Sequence, residues 1–158
     1  MRADLRLLPP AWLGADGAAA RTVAEIWGTV DLERALAAFR ATAGAYDPVS
    51  IDPRDALDDP LLGARVLLLT HEGRRTALAE PSTEGRLAAT LARHGEGRVG
   101  AYVEAPLGLE AVQGAAAAAN VLLSRPATGP LGRSVLVAPG TLGGSLLILV
   151  ERAVPSRS

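Results

Sequence analysis

The order of secondary structure implied by the hydrophobic pattern recurs once along the chain, and this recurrence constrains the fold more than any other feature. The first pass gives a strand, an amphipathic helix, a short strand candidate and two strands joined by the turn HEGR: VAEIWGTV, DLERALAAFRATAG, AYDPVSI, ARVLLLT and RTALAE. The second pass repeats this order: GRVGAYVEA, LGLEAVQGAAAAANV, LLSRP, RSVLVAP and GSLLILVER. Each half therefore predicts a βαβββ unit.

The repeat predicts an α+β fold in which two βαβββ modules form a concave mixed sheet around a central cavity. We expect an N-terminal arm over 1–21, a single domain over 22–152 and a tail over 153–158. Within the domain, module one spans 22–81, a linking helix 82–95 and module two 96–152, with Ser82 as the candidate helix cap and Gly95 beyond the helix end. The alternative is that two unrelated α+β segments match at this coarse level.

Composition removes several classes of function. A chain of 158 residues that is 49% hydrophobic can bury a core, and no cysteine is present for disulfides, thiolate metal sites or nucleophiles. All 16 basic residues are arginine, scattered among acidic residues at a net charge of −1, so no nucleic-acid partner is expected. The apolar runs are too short for a membrane span and the N-terminus lacks the core of a signal peptide, so we expect a cytoplasmic protein.

The segment TALAEPSTEGRLAATLARHGEGRVGAYVEA resembles the middle of methylmalonyl-CoA epimerase and related glyoxalase-like proteins. EIWGTVDLERALAAF and RSVLVAPGTLGGSLLILVE resemble the first strand and helix and the closing hairpin of the same group. The resemblance covers about 22–152 and implies the vicinal oxygen chelate superfamily, whose paired modules normally bind a divalent metal. It also implies that a homodimer is one available state, and the sequence leaves the oligomeric state open.

The places that hold metal ligands in that superfamily fall near Glu25, Ala77, Gly100 and Ile148, and of these only Glu25 could coordinate a metal. The two histidines lie outside the predicted strand centres, and a catalytic site needs about three convergent protein ligands. We therefore expect neither a metal nor another cofactor. The acidic loop around Asp52, Asp55, Asp58 and Asp59 lacks the calcium-loop pattern and is interpreted as a solvated lid over one end of the cavity.

Strand alternation suggests which side chains line the cavity. On the first strand, Glu25, Trp27 and Thr29 are assigned to the open face, and Ile26 and Val30 to the helix side. On the fifth strand the open-face assignment is Arg98, Gly100, Tyr102 and Glu104.

Glu25 is the predicted acid/base group and Tyr102 a hydrogen-bond donor to a carbonyl or enolate. Substrate binding is assigned to Trp27, Thr29, Arg98, Gly100, Glu104 and Ile148. Gly100 is expected to leave room for the ligand. The alternatives are a solvated Glu25 paired with an arginine, and ordinary packing for Trp27 and Tyr102.

Three functions follow from these features. The first is a metal-independent enzyme of specialised metabolism that isomerises, cyclises or eliminates on an apolar carbonyl compound. The second is a non-catalytic protein that sequesters a small molecule such as an antibiotic. The third is an acyl-CoA epimerase. The sequence does not identify the substrate or the reaction type.

Overall fold

A computed structural model describes residues 12, 21–42, 52–71, 73–105, 108–138 and 144–151. The strands are β1 (Arg21–Gly28), β2 (Leu57–Asp59), β3 (Ala64–His71), β4 (Arg74–Pro81), β5 (Gly97–Ala105), β6 (Ala127–Gly129), β7 (Gly132–Leu136) and β8 (Leu146–Glu151). The helices are α1 (Leu32–Thr42), α2 (Arg86–His94) and α3 (Gly108–Ala118), and a short 3₁₀ turn spans Pro53–Asp55. Within these ranges no helix combines the length and apolar character that a membrane crossing needs.

The eight strands of the described residues form one sheet in the order β2-β3-β4-β1-β5-β8-β7-β6. β1 runs parallel to β4 and β5 runs parallel to β8, while β1 and β5 pair antiparallel at the junction of the two halves. β1, α1 and β2 to β4 form one βαβββ module, and β5, α3 and β6 to β8 form the other. The α+β prediction of two such modules in a concave mixed sheet is confirmed.

Equivalent side chains mark the repeat. In module one, Arg65 on β3 pairs with Glu80 at the end of β4 at 3.1 Å. In module two, Arg133 on β7 lies 3.9 Å from Glu151 at the end of β8. Glu80 also accepts a hydrogen bond from the first backbone N–H of α1, at Leu32, at 2.7 Å. A carboxylate at a helix N-terminus satisfies an otherwise unpaired donor and the helix dipole, so in module one Glu80 links the end of β4 to the start of α1 as well as to β3.

Three apolar clusters lie on the two faces of the sheet. The outer face of module one packs against α1 through Leu32, Leu36, Leu67, Leu69 and Leu78. The outer face of module two packs against α3 and is joined by Trp12 of the predicted N-terminal arm. The inner face holds the largest cluster, which includes Ala24, Ile26, Ala64, Val66, Ala77, Ala79, Tyr102, Leu136, Leu146, Ile148 and Val150, closed at one end by Leu87 and Leu91 of α2.

The start of α2 differs from the prediction, whereas its end agrees with it. Ser82 is not the cap of α2: the helix begins at Arg86, and Gly85 occupies the N-cap without a side-chain hydrogen bond. A Cβ on Gly85 would lie 3.0 Å from the carbonyl oxygen of Leu62, so close contact with the preceding turn fixes the start of the helix. Gly95 follows the helix as predicted, with a φ of 76° that suits glycine.

In both modules the structure has a short third strand at a place where none was predicted. In module one β2 lies inside the segment predicted to be a loop, and the strand candidate AYDPVSI falls on 45–51, outside the described residues. In module two the predicted strand LLSRP provides only an isolated bridge from Leu123 to Val137, and β6 follows it. Three-residue strands carry too short a pattern for alternation to locate them.

Candidate functional site

The concave inner face of the sheet is where the fold brings strands of both modules together. Its side chains are aliphatic and closely packed: Ile26 and Ile148 have no exposed surface, and Val66 and Leu146 are 1% exposed. These side chains have almost no surface accessible to water because neighbouring atoms pack against them. This part of the inner face is therefore dry. A polar group placed there acts in a low dielectric.

The face assigned to β1 is wrong, although the strand alternates as expected. Ala24 and Ile26 point inward into the inner cluster. Trp27 lies on the outer face, where its ring meets Phe39 of α1 edge-on at a centroid distance of 5.4 Å. Its side chain reaches the helix because α1 supplies Phe39 as an aromatic partner, while the inner side of β1 packs against Tyr102.

Glu25 also lies on the outer side of β1. Its side chain is 49% exposed and its carboxylate is 3.2 Å from the Arg98 guanidinium. The geometry matches the alternative of a solvated glutamate paired with an arginine, rather than a carboxylate in a dry cavity. Val30, assigned to the helix side, is 63% exposed.

Thr29 is buried, but its hydroxyl is used within the fold. It donates to the carboxylate of Glu96 at 2.8 Å and receives the backbone N–H of Asp31 at 3.1 Å. The N–H of Val30 and then the Thr29 hydroxyl lower the pKa of Glu96. These bonds tie the loop after β1 to the loop before β5, so Thr29 positions the module junction.

On β5, Gly100 and Tyr102 face inward, as does Ile148 on β8. Gly100 leaves no room for a ligand, which corrects the prediction: a Cβ there would overlap the carbonyl of Leu146, its partner on β8. Glu104 is half-buried near the end of β5. The eight residues assigned to the site are therefore not assembled around one cavity.

A polar pair that sequence analysis did not assemble does lie on the inner face. Asp59 at the end of β2 is 1% exposed and is the one charged side chain that is fully buried in the described part of the chain. Its Oδ2 accepts a hydrogen bond from the Tyr102 hydroxyl at 2.6 Å, and its Oδ1 accepts from the backbone N–H groups of Leu61 at 2.9 Å and Leu62 at 3.4 Å. The pair joins an edge strand of module one to the central strand of module two.

The interpretation of the acidic segment as a solvated lid is thus wrong for Asp59, while Asp58 beside it is exposed. The Asp-Pro step in the sequence was a usable signal, because aspartate before such a turn often accepts backbone N–H groups two and three residues ahead. The partner could not be found in this way, since Tyr102 is 43 residues away along the chain.

Burial, followed by the charge and hydrogen bond of Asp59, raises the pKa of Tyr102 above its ordinary value of about 10. A raised pKa means that the folded state favours the neutral Tyr102 phenol. The contribution of this phenol to the free energy of unfolding is therefore fully present below pH 10. It is lost as the pH rises above that value, by about 1.4 kcal/mol for each pH unit. Denaturant titrations between pH 8 and 11 are expected to show this loss.

The matched control for that titration is Tyr102→Phe, which removes the ionisable group. Tyr46→Phe leaves Tyr102 as the sole tyrosine of the chain, and in this variant the phenolate absorbance is expected to rise only as the protein unfolds. A phenolate signal near pH 10 from folded Tyr46→Phe protein would contradict the burial of Tyr102.

The inner strands do not fit the divalent metal site that the resemblance implies. Positions facing inward carry Ala24 and Ile26 on β1, Ala77 and Ala79 on β4, Gly100 and Tyr102 on β5, and Ile148 and Val150 on β8. Among these positions only Tyr102 carries a side-chain oxygen, and its hydroxyl donates a hydrogen bond to Asp59. Across the residues with described positions, no three His, Cys, Asp or Glu side chains gather in a way that could hold a metal ion.

Comparison with known proteins places the fold. A Streptomyces coelicolor methylmalonyl-CoA epimerase variant in complex with 2-nitronate-propionyl-CoA is 20% identical, with a TM-score of 0.66 over 89% of this chain and 100% of that chain. The Mycobacterium tuberculosis epimerase is 21% identical, with a TM-score of 0.64 over 85% of this chain and 90% of its own. A hypothetical protein from Bacillus halodurans is 15% identical at a TM-score of 0.66, covering 87% and 98% of the two chains.

The chain thus has the vicinal oxygen chelate fold of the methylmalonyl-CoA epimerases. No protein-family model matches it, and no curated protein does. At these identities the likeness shows the fold alone.

Proposed function

We propose that this protein is an enzyme of small-molecule metabolism that moves a proton on an apolar, carbonyl-bearing compound, without a metal ion held by its strands. The reaction is an isomerisation, cyclisation or elimination of the kind found in specialised metabolism. The observation that carries the proposal is the Asp59 carboxylate, buried on the inner face against Tyr102. Asp59 takes the acid/base role that sequence analysis gave to Glu25.

The chemistry follows from the two partners. An ionised carboxylate in a dry, fixed setting can accept a proton from a carbon next to a carbonyl group, and then return it to the same or a neighbouring carbon. Tyr102 has a raised pKa and so keeps its proton, which lets it donate a hydrogen bond to Asp59 or to the oxygen of a developing enolate. The acyl-CoA ligand in the Streptomyces coelicolor neighbour is a carbonyl compound of this general type.

The proposal is tested by solvent deuterium exchange. Purified protein in D₂O is incubated separately with methylmalonyl-CoA and with an apolar 1,3-diketone, and deuterium uptake into each probe is followed by mass spectrometry. We expect uptake above the uncatalysed rate for at least one probe. Asp59→Asn should lower it by about 10²–10⁴-fold, the usual contribution of a general base.

Glu25→Gln is the comparison that separates the two carboxylates. Exchange that depends on Glu25 and not on Asp59 would overturn the assignment in favour of the original prediction. Exchange that requires an added divalent ion would overturn metal independence. Far-UV circular dichroism shows whether each variant is folded.

A second function, non-catalytic binding of an apolar compound, is favoured by the exposed position of Glu25 and the aliphatic inner face. Saturable binding of an apolar probe without deuterium uptake by any carbonyl compound would select it. The third, acyl-CoA epimerase activity, is supported by the epimerase neighbours. Uptake confined to methylmalonyl-CoA would select that function.

A further inference from the structure

The sheet nearly closes on itself where its two outer strands meet. Among the strands that the structure describes, β2 pairs only with β3 and β6 only with β7, and β2 and β6 contact each other across the gap. We call this gap the seam and define it as Leu57–Asp59 of β2 with Ala127–Gly129 of β6. Neighbouring strands elsewhere in the order are joined by hydrogen-bonded ladders. The seam is therefore where the sheet is not closed by strand pairing, and Asp59 lies on it.

The Asp59 carboxylate is held on two sides and faces glycine on the third. Tyr102 occupies Oδ2, and the backbone N–H groups of Leu61 and Leu62 occupy Oδ1. A Cβ built on Gly129 would lie 3.4 Å from Cγ of Asp59, 3.5 Å from Oδ2 and 3.6 Å from Oδ1. Gly129 therefore places backbone, and no side chain, beside the carboxylate, which is 1% exposed.

Backbone conformation does not explain this glycine. Gly132 in the same hairpin has a φ of 109°, which L side chains rarely adopt, whereas Gly129 is not among the glycines with positive φ. Packing does not require it either, because 3.4 Å is an ordinary van der Waals contact. Alanine is compatible with position 129 on both counts, so what glycine distinctively leaves there is the space of one methyl group beside the buried carboxylate.

We infer that small molecules reach Asp59 through the seam across Gly129. The space left by the missing side chain at 129 is narrow, so it admits only a slim reacting end to the carboxylate. The inference deepens the proposed function and takes its catalytic meaning from it. It predicts that the substrate presents its acidic carbon at a narrow terminus. Access itself is a separate physical property, which can be measured without any turnover.

The experiment measures the reactivity of the carboxylate. The full chain is treated with a water-soluble carbodiimide and methylamine, and amide formation at Asp59 is quantified by peptide mass spectrometry against the exposed neighbour Asp58. We expect slow but measurable labelling of Asp59 in the unmodified chain. Gly129→Ala should lower the ratio of Asp59 to Asp58 labelling at least threefold, and Gly129→Val more than tenfold.

Gly114→Ala is the matched control, because a Cβ at this exposed helical glycine meets nothing within 4 Å. It should leave the labelling ratio unchanged. The inference is overturned if Asp59 stays unlabelled where Asp58 reacts fully, or if Gly129→Ala, confirmed as folded by its thermal melt, labels like the unmodified chain. Seam-dependent labelling without deuterium exchange would leave the access route standing and count against the proposed catalysis alone.

Discussion

Replacement of Asp59 by alanine is expected to lower the free energy of unfolding by about 3 kcal/mol, since hydrogen bonds to a charged group contribute about 1.5–3 kcal/mol and a buried donor left unpaired costs about 1–3 kcal/mol. The change strands the Tyr102 hydroxyl in a dry interior and removes the acceptor for two backbone N–H groups. It also removes the side-chain hydrogen bond that links β2 of module one to β5 of module two. Urea denaturation followed by circular dichroism measures the loss.

Asp58→Ala is the control, because this neighbouring aspartate is exposed and substitutions at such positions usually change stability by less than about 0.5 kcal/mol. Tyr102→Phe alone should also destabilise, and the double variant should fall short of the sum of the two single effects by about 0.5–3 kcal/mol because the partners interact. Equal stability of the Asp59 and Asp58 variants, or strict additivity with Tyr102→Phe, would show that the pair does not form.

The fold could be predicted from the sequence because it rests on long elements with clear periodicity. β5 was placed with its observed bounds, Gly97–Ala105, and Gly95 marked the end of α2. The failures concern elements governed by contacts distant in sequence. β2 and β6 have three residues each, and α2 begins directly after its N-cap Gly85, which packs against the turn at Leu62.

The candidate site was harder to predict because alternation shows which residues share a face but not which face is which. Glu25 and Trp27 do share a face, yet the aromatic contact with Phe39 on α1 places that face outward. The pattern assigned polar and aromatic residues to the cavity, whereas the observed inner face is aliphatic. Its buried carboxylate comes from an edge strand that periodicity could not locate, and the partner Tyr102 is supplied by the opposite module.

Replacement of Gly100 by alanine is expected to destabilise the fold by about 3 kcal/mol, at the upper end of the usual cost of overpacking. The added Cβ would overlap the carbonyl oxygen of Leu146 and lie 2.7 Å from its carbonyl carbon and 2.8 Å from its Cβ. Backbone cannot rotate away as a side chain can, so β5 and β8 would have to separate inside module two. Thermal and urea unfolding provide the measurement.

Two further glycines turn this into a graded test. At Gly28 an added Cβ would meet the tip of the Leu91 side chain at 2.8 Å, which can move, and at Gly114 it meets nothing. Stability should therefore fall in the order Gly114→Ala, Gly28→Ala, Gly100→Ala. A Gly100→Ala variant as stable as the unmodified chain would mean that β8 lies farther from β5, leaving the ligand space that the sequence predicted. The expected order would show instead that Gly100 permits the close parallel pairing of β5 with β8.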